Sequence, residues 1–221
     1  MNLRHVLNMY RTISLLLLAS AAGAGIIVDR MAVIVGKHVI KTSDIERDLR
    51  LTEFLNREQL KINSDEKHRS AERLIDQEII RQELLTAGFR RPTDTNAPAL
   101  EAQLCQERFG GSQPRLREAL ARYGLTEDQL REQFVWQLTV LSFIDQRFRA
   151  GTLVTDEDLR SYYDQHLAEL RRQYPQDPSF ETLEPKIRTS LEGERVNQNF
   201  TQWLEQARKR YHIEYKQEAF R

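Results

Sequence analysis

The segment Val28–Ile45, VDRMAVIVGKHVIKTSDI, contains the change from strand to helix periodicity that decides the fold. Its first half alternates two sets of apolar side chains, as a β-strand does: Met31, Val33 and Val35 on one face, Ala32 and Ile34 on the other. Gly36-Lys37 then offers a turn, and Val39-Ile40 continues the apolar pattern beyond it. This pattern predicts a short β-hairpin.

A helix is expected to follow the hairpin directly. Residues 43–46 read SDIE, a capping box in which the Ser43 hydroxyl accepts from the Glu46 amide while the Glu46 carboxylate reaches back. The sequence therefore predicts a helix that starts at Ser43, with Ile45, Leu49 and Leu55 on its inner face.

The remaining chain shows helical periodicity almost throughout. Gly88 is placed to end a helix that begins near Ser64, and shorter helices over residues 98–109 and 113–123 are each followed by glycine. Thr126 with Gln129, and Thr155 with Asp158, predict the starts of two more helices. The last long helix is predicted either as continuous or as interrupted near Gly193. The expected buried residues are Ala71, Leu74, Ile75, Ile79, Leu84 or Leu85, Leu130, Phe134, Leu138, Leu141, Ile144, Phe180, Leu183, Ile187, Leu191, Phe200, Trp203, Leu204 and Ala207.

Alternation returns at the C-terminus in YHIEYK, residues 211–216. This segment predicts a third strand that pairs with the N-terminal hairpin, since two short strands alone are marginally stable. The predicted fold is therefore mainly α: a multi-helix module closed by a small β-sheet from the N-terminal hairpin and the C-terminal strand.

Residues 1–24 have the features of a secretory signal peptide. Arg4, His5 and Arg11 precede an apolar core of about a dozen residues, and Ala22-Gly23-Ala24 provides a cleavage site of the A-x-A type. Ala19-Ser20-Ala21 is the second choice. Because the apolar run continues through Val28, an uncleaved membrane anchor is the alternative. The sequence thus predicts a periplasmic protein, or else one anchored in the inner membrane and facing the periplasm.

Composition and motifs exclude several function classes. Lys+Arg and Asp+Glu both number 33, so there is no basic surplus for nucleic acid. With Cys105 as the only cysteine and no paired histidines at zinc spacing, no metal site is expected, and Cys105 itself is expected to be a small buried hydrophobe. Nucleotide, dinucleotide and nucleophile motifs are missing. The sequence therefore predicts no enzyme activity, no cofactor and no small-molecule substrate.

A few side chains are ambiguous between binding and packing. Tyr162-Tyr163 and Trp136 suit ligand stacking, yet their helical spacing favours core packing, and Gly110-Gly111 is better explained as a helix end than as a phosphate cradle. Peptide-binding residues remain undetermined at this level, because core and groove positions share one periodicity.

Four segments in order resemble a known family: IIVDRMAVIVGKHVIKTSDIERDL, AERLIDQEIIRQELLTAGF, LREALARYGLTEDQLREQFVWQLTVLSFID and VTDEDLRSYYDQHLAEL. Together with SFETLEPKIRTSLEGERVNQNFTQWLEQARKRYHIEY they are similar to the chaperone module of SurA-like periplasmic chaperones, a family often joined to parvulin-type prolyl isomerase domains. The resemblance implies a helical module over residues 25–150 and C-terminal helices and a strand over residues 151–221 that dock back on it.

The family's isomerase domain has no counterpart between Leu170 and Phe180. Such a domain needs on the order of a hundred residues, and only a few polar residues lie there. The resemblance therefore implies an ATP-independent chaperone that holds unfolded or extended polypeptides, with outer-membrane proteins in transit as clients. A structural or adaptor protein of the cell envelope, or a prolyl cis-trans isomerase, are the alternatives. A membrane is a partner only if the signal segment is retained.

Overall fold

The computed structural model describes residues 29–89 and 96–221, so the leader and the alternative anchor expected at the N-terminus lie outside the described residues. Seven α-helices and three strands occur in these ranges. In chain order the elements are β1 (Met31–Val35), β2 (His38–Lys41), α1 (Thr42–Asn56), α2 (Ser64–Thr86), α3 (Ala97–Phe109), α4 (Gln113–Arg122), α5 (Glu127–Ile144), a π-helical turn (Asp145–Arg149), α6 (Asp156–Gln173), α7 (Phe180–Arg208), β3 (Ile213–Tyr215) and a 3-10 turn (Gln217–Phe220). None of these helices combines the length and the apolar content needed to cross a membrane.

The three strands form one antiparallel sheet in the order β2-β1-β3, which confirms the predicted fold class. Val33 of β1 lies opposite Ile40 on one side and Tyr215 on the other. Gly36 in the hairpin turn has φ +60°, a region that costs glycine little, and its amide donates to the carbonyl of His212 at 2.8 Å. The two ends of the described chain are therefore tied together by main-chain hydrogen bonds.

The start of α1 differs from the prediction. The helix begins at Thr42, and the Ser43 hydroxyl donates to the Asp29 carboxylate at 2.5 Å instead of accepting from the Glu46 amide. The main-chain amide of Lys41 is satisfied by Asp44 Oδ2 at 2.9 Å. The predicted Ser43 cap was wrong because an ionised acceptor, distant in sequence, forms a stronger hydrogen bond with that hydroxyl.

The other helix signals behave as predicted. Thr126 and Gln129 form a reciprocal capping box at the start of α5, and Thr155 and Asp158 do so at the start of α6. Gly88 lies two residues after the end of α2 and has φ +63°, as its predicted role requires. Helix α7, by contrast, runs without interruption through Gly193.

Burial agrees with the predicted pattern at most positions, with a correction in α5. Leu141 is 61% exposed, whereas Phe143, two residues later, is only 2% exposed. The first half of α5 packs with α3 and α4, and its end packs with α2 and α7, so the buried stripe shifts around the helix where the partner changes. At the end of α2 the buried leucine is Leu84, while Leu85 faces solvent.

The apolar side chains of residues 29–89 and 96–221 form four clusters. The first lies between the sheet, α1, α2 and the end of α7, and the second joins the end of α1 to α3, α4 and α5. The third joins α6 to the first half of α7, and the fourth, rich in aromatic rings, lies between α2, the end of α5 and the second half of α7. Helix α7 therefore contributes to three of the four clusters.

The link between α6 and α7 is an ordered turn. Tyr163 Oη donates to the carbonyl of Pro178 at 2.8 Å, and Asp177 accepts hydrogen bonds from the amide and hydroxyl of Ser179 and from the hydroxyl of Thr182. These hydrogen bonds lower the pKa of Asp177. We call α6, this turn and the first half of α7 the α6–α7 arm; it has a core of its own.

Candidate binding groove

A groove runs across the face where α1 and α2 meet α5. It consists of three adjoining hollows with volumes of about 280, 220 and 540 Å³, and neighbouring hollows share lining residues. Arg81 lines all three. The groove begins beside the edge strand β2 at His38 and Ile40 and ends at Thr139, in the second half of α5. We call it the α2–α5 groove.

The floor of the groove is apolar and its rim is charged. Leu74, Val135 and Trp136 are half-buried and supply its accessible apolar side chains, next to the buried core residues Ile40 and Leu51. The rim carries both signs of charge and three neutral amides: Arg47, Arg81, Arg131, Asp44, Asp128, Glu132, Gln77, Gln129 and Gln133. Such a surface can bury apolar side chains of a bound polypeptide in any orientation, because apolar burial is non-directional. The amides can form hydrogen bonds with the main chain of an extended polypeptide.

The centre of the groove is organised around Arg81. Its guanidinium lies 5.0 Å from the centre of the Trp136 ring, and it also pairs with the buried carboxylate of Glu78. Gln82 Nε2 donates to the second oxygen of Glu78 at 2.9 Å, and His38 Nε2 lies 3.6 Å from Glu78. These partners stabilise the Glu78 carboxylate, which would be costly to bury alone. The contact between Arg81 and the Trp136 ring also holds that ring at the groove.

A second buried carboxylate lies beneath the groove. Asp48 Oδ2 accepts from the Ser70 hydroxyl at 2.7 Å and from Arg73 at 2.6 Å, which joins α1 to α2. On the opposite side Arg131 pairs with Glu101 of α3 at 3.1 Å. A charged pair therefore fixes α1 to α2 on one side of the groove, and another fixes α5 to α3 on the other side. These pairs hold the shape of the groove before a ligand binds.

The residues singled out in the sequence are found in different places. Trp136 packs against the fourth cluster, as its spacing predicts, and also lines the groove, whereas Tyr162 and Tyr163 pack in the core of the α6–α7 arm. Cys105 is buried among the apolar residues of the second cluster, as expected. Gly110 ends α3 in a left-handed conformation, which agrees with its interpretation as a helix end.

No pattern in the sequence distinguishes Arg81, Gln77 or Glu132, because charged and amide side chains at helical spacing are typical of any solvated helix face. Among the described residues, no group of three or more His, Cys, Asp or Glu side chains could hold a metal ion. The buried carboxylates Glu78 and Asp48 instead pair with arginine, amide and hydroxyl groups. The arrangement is suited to non-covalent binding of a chain.

Comparison with models of known protein families and with curated proteins returned no match to this chain.

Proposed function

We propose that the protein is an ATP-independent extracytoplasmic chaperone, a holdase that binds unfolded polypeptides, with outer-membrane proteins in transit as clients. The observation that carries the proposal is the α2–α5 groove, with its apolar floor and charged rim. The proposal is also supported by the sequence segments that resemble, in the same order along the chain, the SurA-like chaperone module. Unfolded β-barrel strands expose an apolar side chain at alternate positions, which matches a shallow apolar floor.

Binding of this kind is expected to be weak at each contact and tolerant of sequence. Apolar burial has no directional requirement, and rim charges of both signs accept segments of either charge. A client would be held against aggregation and released without a nucleotide. No step of this cycle needs covalent chemistry.

The test is a light-scattering assay with an unfolded β-barrel protein as client, without nucleotide, at near-stoichiometric ratio. The wild-type protein should slow aggregation, and Trp136→Ala should weaken this effect severalfold, because the substitution removes an indole ring that lines two of the three hollows of the groove. Trp136→Phe, which keeps a ring, should retain most of the effect. Leu153→Ala is the matched control, since Leu153 is 76% exposed and lies outside the groove.

A proline-limited refolding assay distinguishes the isomerase alternative. We expect no acceleration, because the turn between α6 and α7 contains no domain that could form a proline pocket. Turnover in this assay would support the isomerase instead. If neither assay shows an effect of the wild-type protein, the holdase proposal is wrong.

A structural or adaptor role in the envelope is the second candidate. The α6–α7 arm favours it, because a helical hairpin with its own core is a suitable surface for one defined partner. Capture of a single stoichiometric partner through the arm, with no effect on client aggregation, would favour this role over the holdase.

A further inference from the structure

A second hollow lies where α1, α3 and α4 all end, and it shares no lining residue with the α2–α5 groove. Its volume is about 510 Å³. We call it the basic pocket. Its lining combines aromatic and charged side chains: Phe54, Arg57, Glu107, Arg108, Phe109, Ala119, Arg122 and Tyr123.

The apolar part of the basic pocket is well defined. The rings of Phe54 and Tyr123 meet edge to face with their centres 5.6 Å apart. Tyr123 Oη donates to the carbonyl of Glu58 at 2.7 Å, which fixes its ring, and Phe109 and the small Ala119 complete the surface. An apolar side chain that enters the pocket would therefore contact rings held in place before binding.

The charged part consists of three arginines and one glutamate. Arg57 has φ +62° and is the one non-glycine residue with positive φ among residues 29–89 and 96–221. A glycine would adopt that conformation at little steric cost, so nothing in the turn itself requires arginine there. Arg57 and Arg122 are exposed, and Arg122 lies 3.8 Å from the Glu118 carboxylate.

Arg108 is held beside Arg57 by main-chain acceptors. Its two terminal nitrogens donate to the carbonyls of Phe54 and Leu55 at 3.0 and 2.7 Å, and these carbonyls belong to the last turn of α1. Burial and the neighbouring charge of Arg57 lower the pKa of Arg108. In the part of the chain that the structure describes, neither arginine forms an ion pair with a carboxylate. An incoming anion would reduce the electrostatic repulsion between Arg57 and Arg108. The carbonyls of Phe54 and Leu55, at the negative end of the α1 dipole, already accept hydrogen bonds from Arg108.

We propose that the basic pocket binds a carboxylate that adjoins an apolar side chain, as occurs where Asp or Glu neighbours Phe or Leu in an unfolded polypeptide. The proposal rests on the proposed function and adds a charge-selective contact to it. Arg57 and Arg108 would receive the carboxylate, and the Phe54–Tyr123 surface would receive the neighbouring apolar side chain. The α2–α5 groove would hold the same client without preference for charge.

The experiment measures the fluorescence anisotropy of a labelled, end-blocked peptide with a central Phe-Asp-Phe segment at low ionic strength. A matched peptide contains Phe-Asn-Phe. The wild-type protein should bind the Asp peptide at least about fivefold more tightly, because an ionised acceptor forms the stronger hydrogen bonds with a guanidinium. Arg57→Gly should remove this preference. The variant is not expected to impair folding, since glycine suits the positive φ at this position.

Arg117→Ala is the matched control, because Arg117 is an exposed arginine of α4 that does not line the pocket. It should leave the preference intact. Equal binding of both peptides by the wild-type protein, or a preference that survives in Arg57→Gly, would overturn the proposal. Trp136→Ala separates the two sites: loss of aggregation suppression with an unchanged peptide preference supports a basic pocket that acts independently of the groove. Loss of the preference in that variant would contradict it.

Discussion

At the scale of single residues, hydrogen bonds between charged and polar side chains join the C-terminal elements to α2. Arg208 of α7 donates to Glu72 and Asp76 of α2, both at 2.6 Å. Burial raises the pKa of Asp76 despite this arginine, which shows that desolvation outweighs the pairing there. Tyr215 of β3 donates to the second oxygen of Glu72. These contacts attach the C-terminal strand and helix to α2.

Tyr215 provides a prediction about pH. Burial, followed by its hydrogen bond to Glu72, raises the pKa of Tyr215 to about 12 from the ordinary value of 10.0. The folded protein holds this proton more tightly than the unfolded chain, so the contribution to stability is complete below pH 10 and is lost as the pH rises from 10 through 12. The wild-type protein should therefore lose more stability across this range than Tyr215→Phe.

Urea unfolding followed by circular dichroism at several pH values measures this difference. Tyr174→Phe, in the turn of the α6–α7 arm, is the control for tyrosine ionisation elsewhere. Parallel loss of stability in the wild-type protein and in Tyr215→Phe would show that the Glu72 contact does not persist in solution.

At the scale of elements, the C-terminal strand and turn complete the sheet and its core. Val33 pairs with Tyr215, and the amide of Lys216 donates to the carbonyl of Ala32 at 2.8 Å. Phe220 in the 3-10 turn is buried in the first cluster and stacks with His68 of α2 at 4.2 Å between ring centres. A tail of eleven residues thus covers the sheet and α2 at once.

Deleting Tyr211–Arg221 is therefore expected to lower the melting temperature markedly. The smaller change Phe220→Ala should reduce the free energy of unfolding by about 3–5 kcal/mol, the usual cost of emptying a buried phenylalanine site. Thermal and urea denaturation measure both variants. The control is Gln217→Ala, an exposed position in the same turn. A melting curve unchanged by the deletion would mean that the tail is not packed in solution.

The α6–α7 arm leads to a second prediction at this scale. Leu183 is buried in the third cluster, which contains no side chain from α1 or α2. Leu183→Ala should therefore speed amide exchange in α6 and in the first half of α7 while leaving α1 and α2 unchanged. Hydrogen exchange with mass spectrometry measures this, and the exposed Glu181→Ala is the control. Equal acceleration in α1 would show that the arm and the rest of the protein unfold together.

At the scale of the whole molecule, α7 joins the α6–α7 arm to the sheet and the remaining helices. Its first half packs with α6, and its second half packs with α2, the end of α5 and the sheet. Arg195, between these halves, pairs with Asp158 at the start of α6 at 2.7 Å. Together with the hydrogen bonds from Thr155, Arg195 lowers the pKa of Asp158 to about 2. A short turn connects α6 directly to α7, with no domain inserted between the two helices.

The two proposed binding surfaces differ at this scale in a way that bears on the proposed function. The α2–α5 groove has rim charges of both signs, whereas the basic pocket has three arginines against one glutamate. The groove would supply sequence-tolerant contact, and the pocket would favour acidic segments. We therefore expect client segments rich in acidic and aromatic residues to be held most tightly.

The sequence by itself determined the features that depend on near neighbours along the chain. The hairpin around Gly36, the capping boxes at Thr126 and Thr155 and the helix end at Gly88 all involve groups within a few residues of one another, so local patterns predict them correctly. The cap predicted at Ser43 failed because its partner, Asp29, lies fourteen residues earlier in the chain.

Only the tertiary structure decided which apolar faces form core and which form a groove. Trp136 and Phe143 belong to the same helix and contact the same cluster, yet Phe143 is fully buried whereas Trp136 is half-buried and also lines the groove. Arg81 and Trp136 meet across the groove although 55 positions separate them. Periodicity specifies only the side of a helix, whereas burial depends on the helix that packs against that side, and this depends on contacts between distant segments.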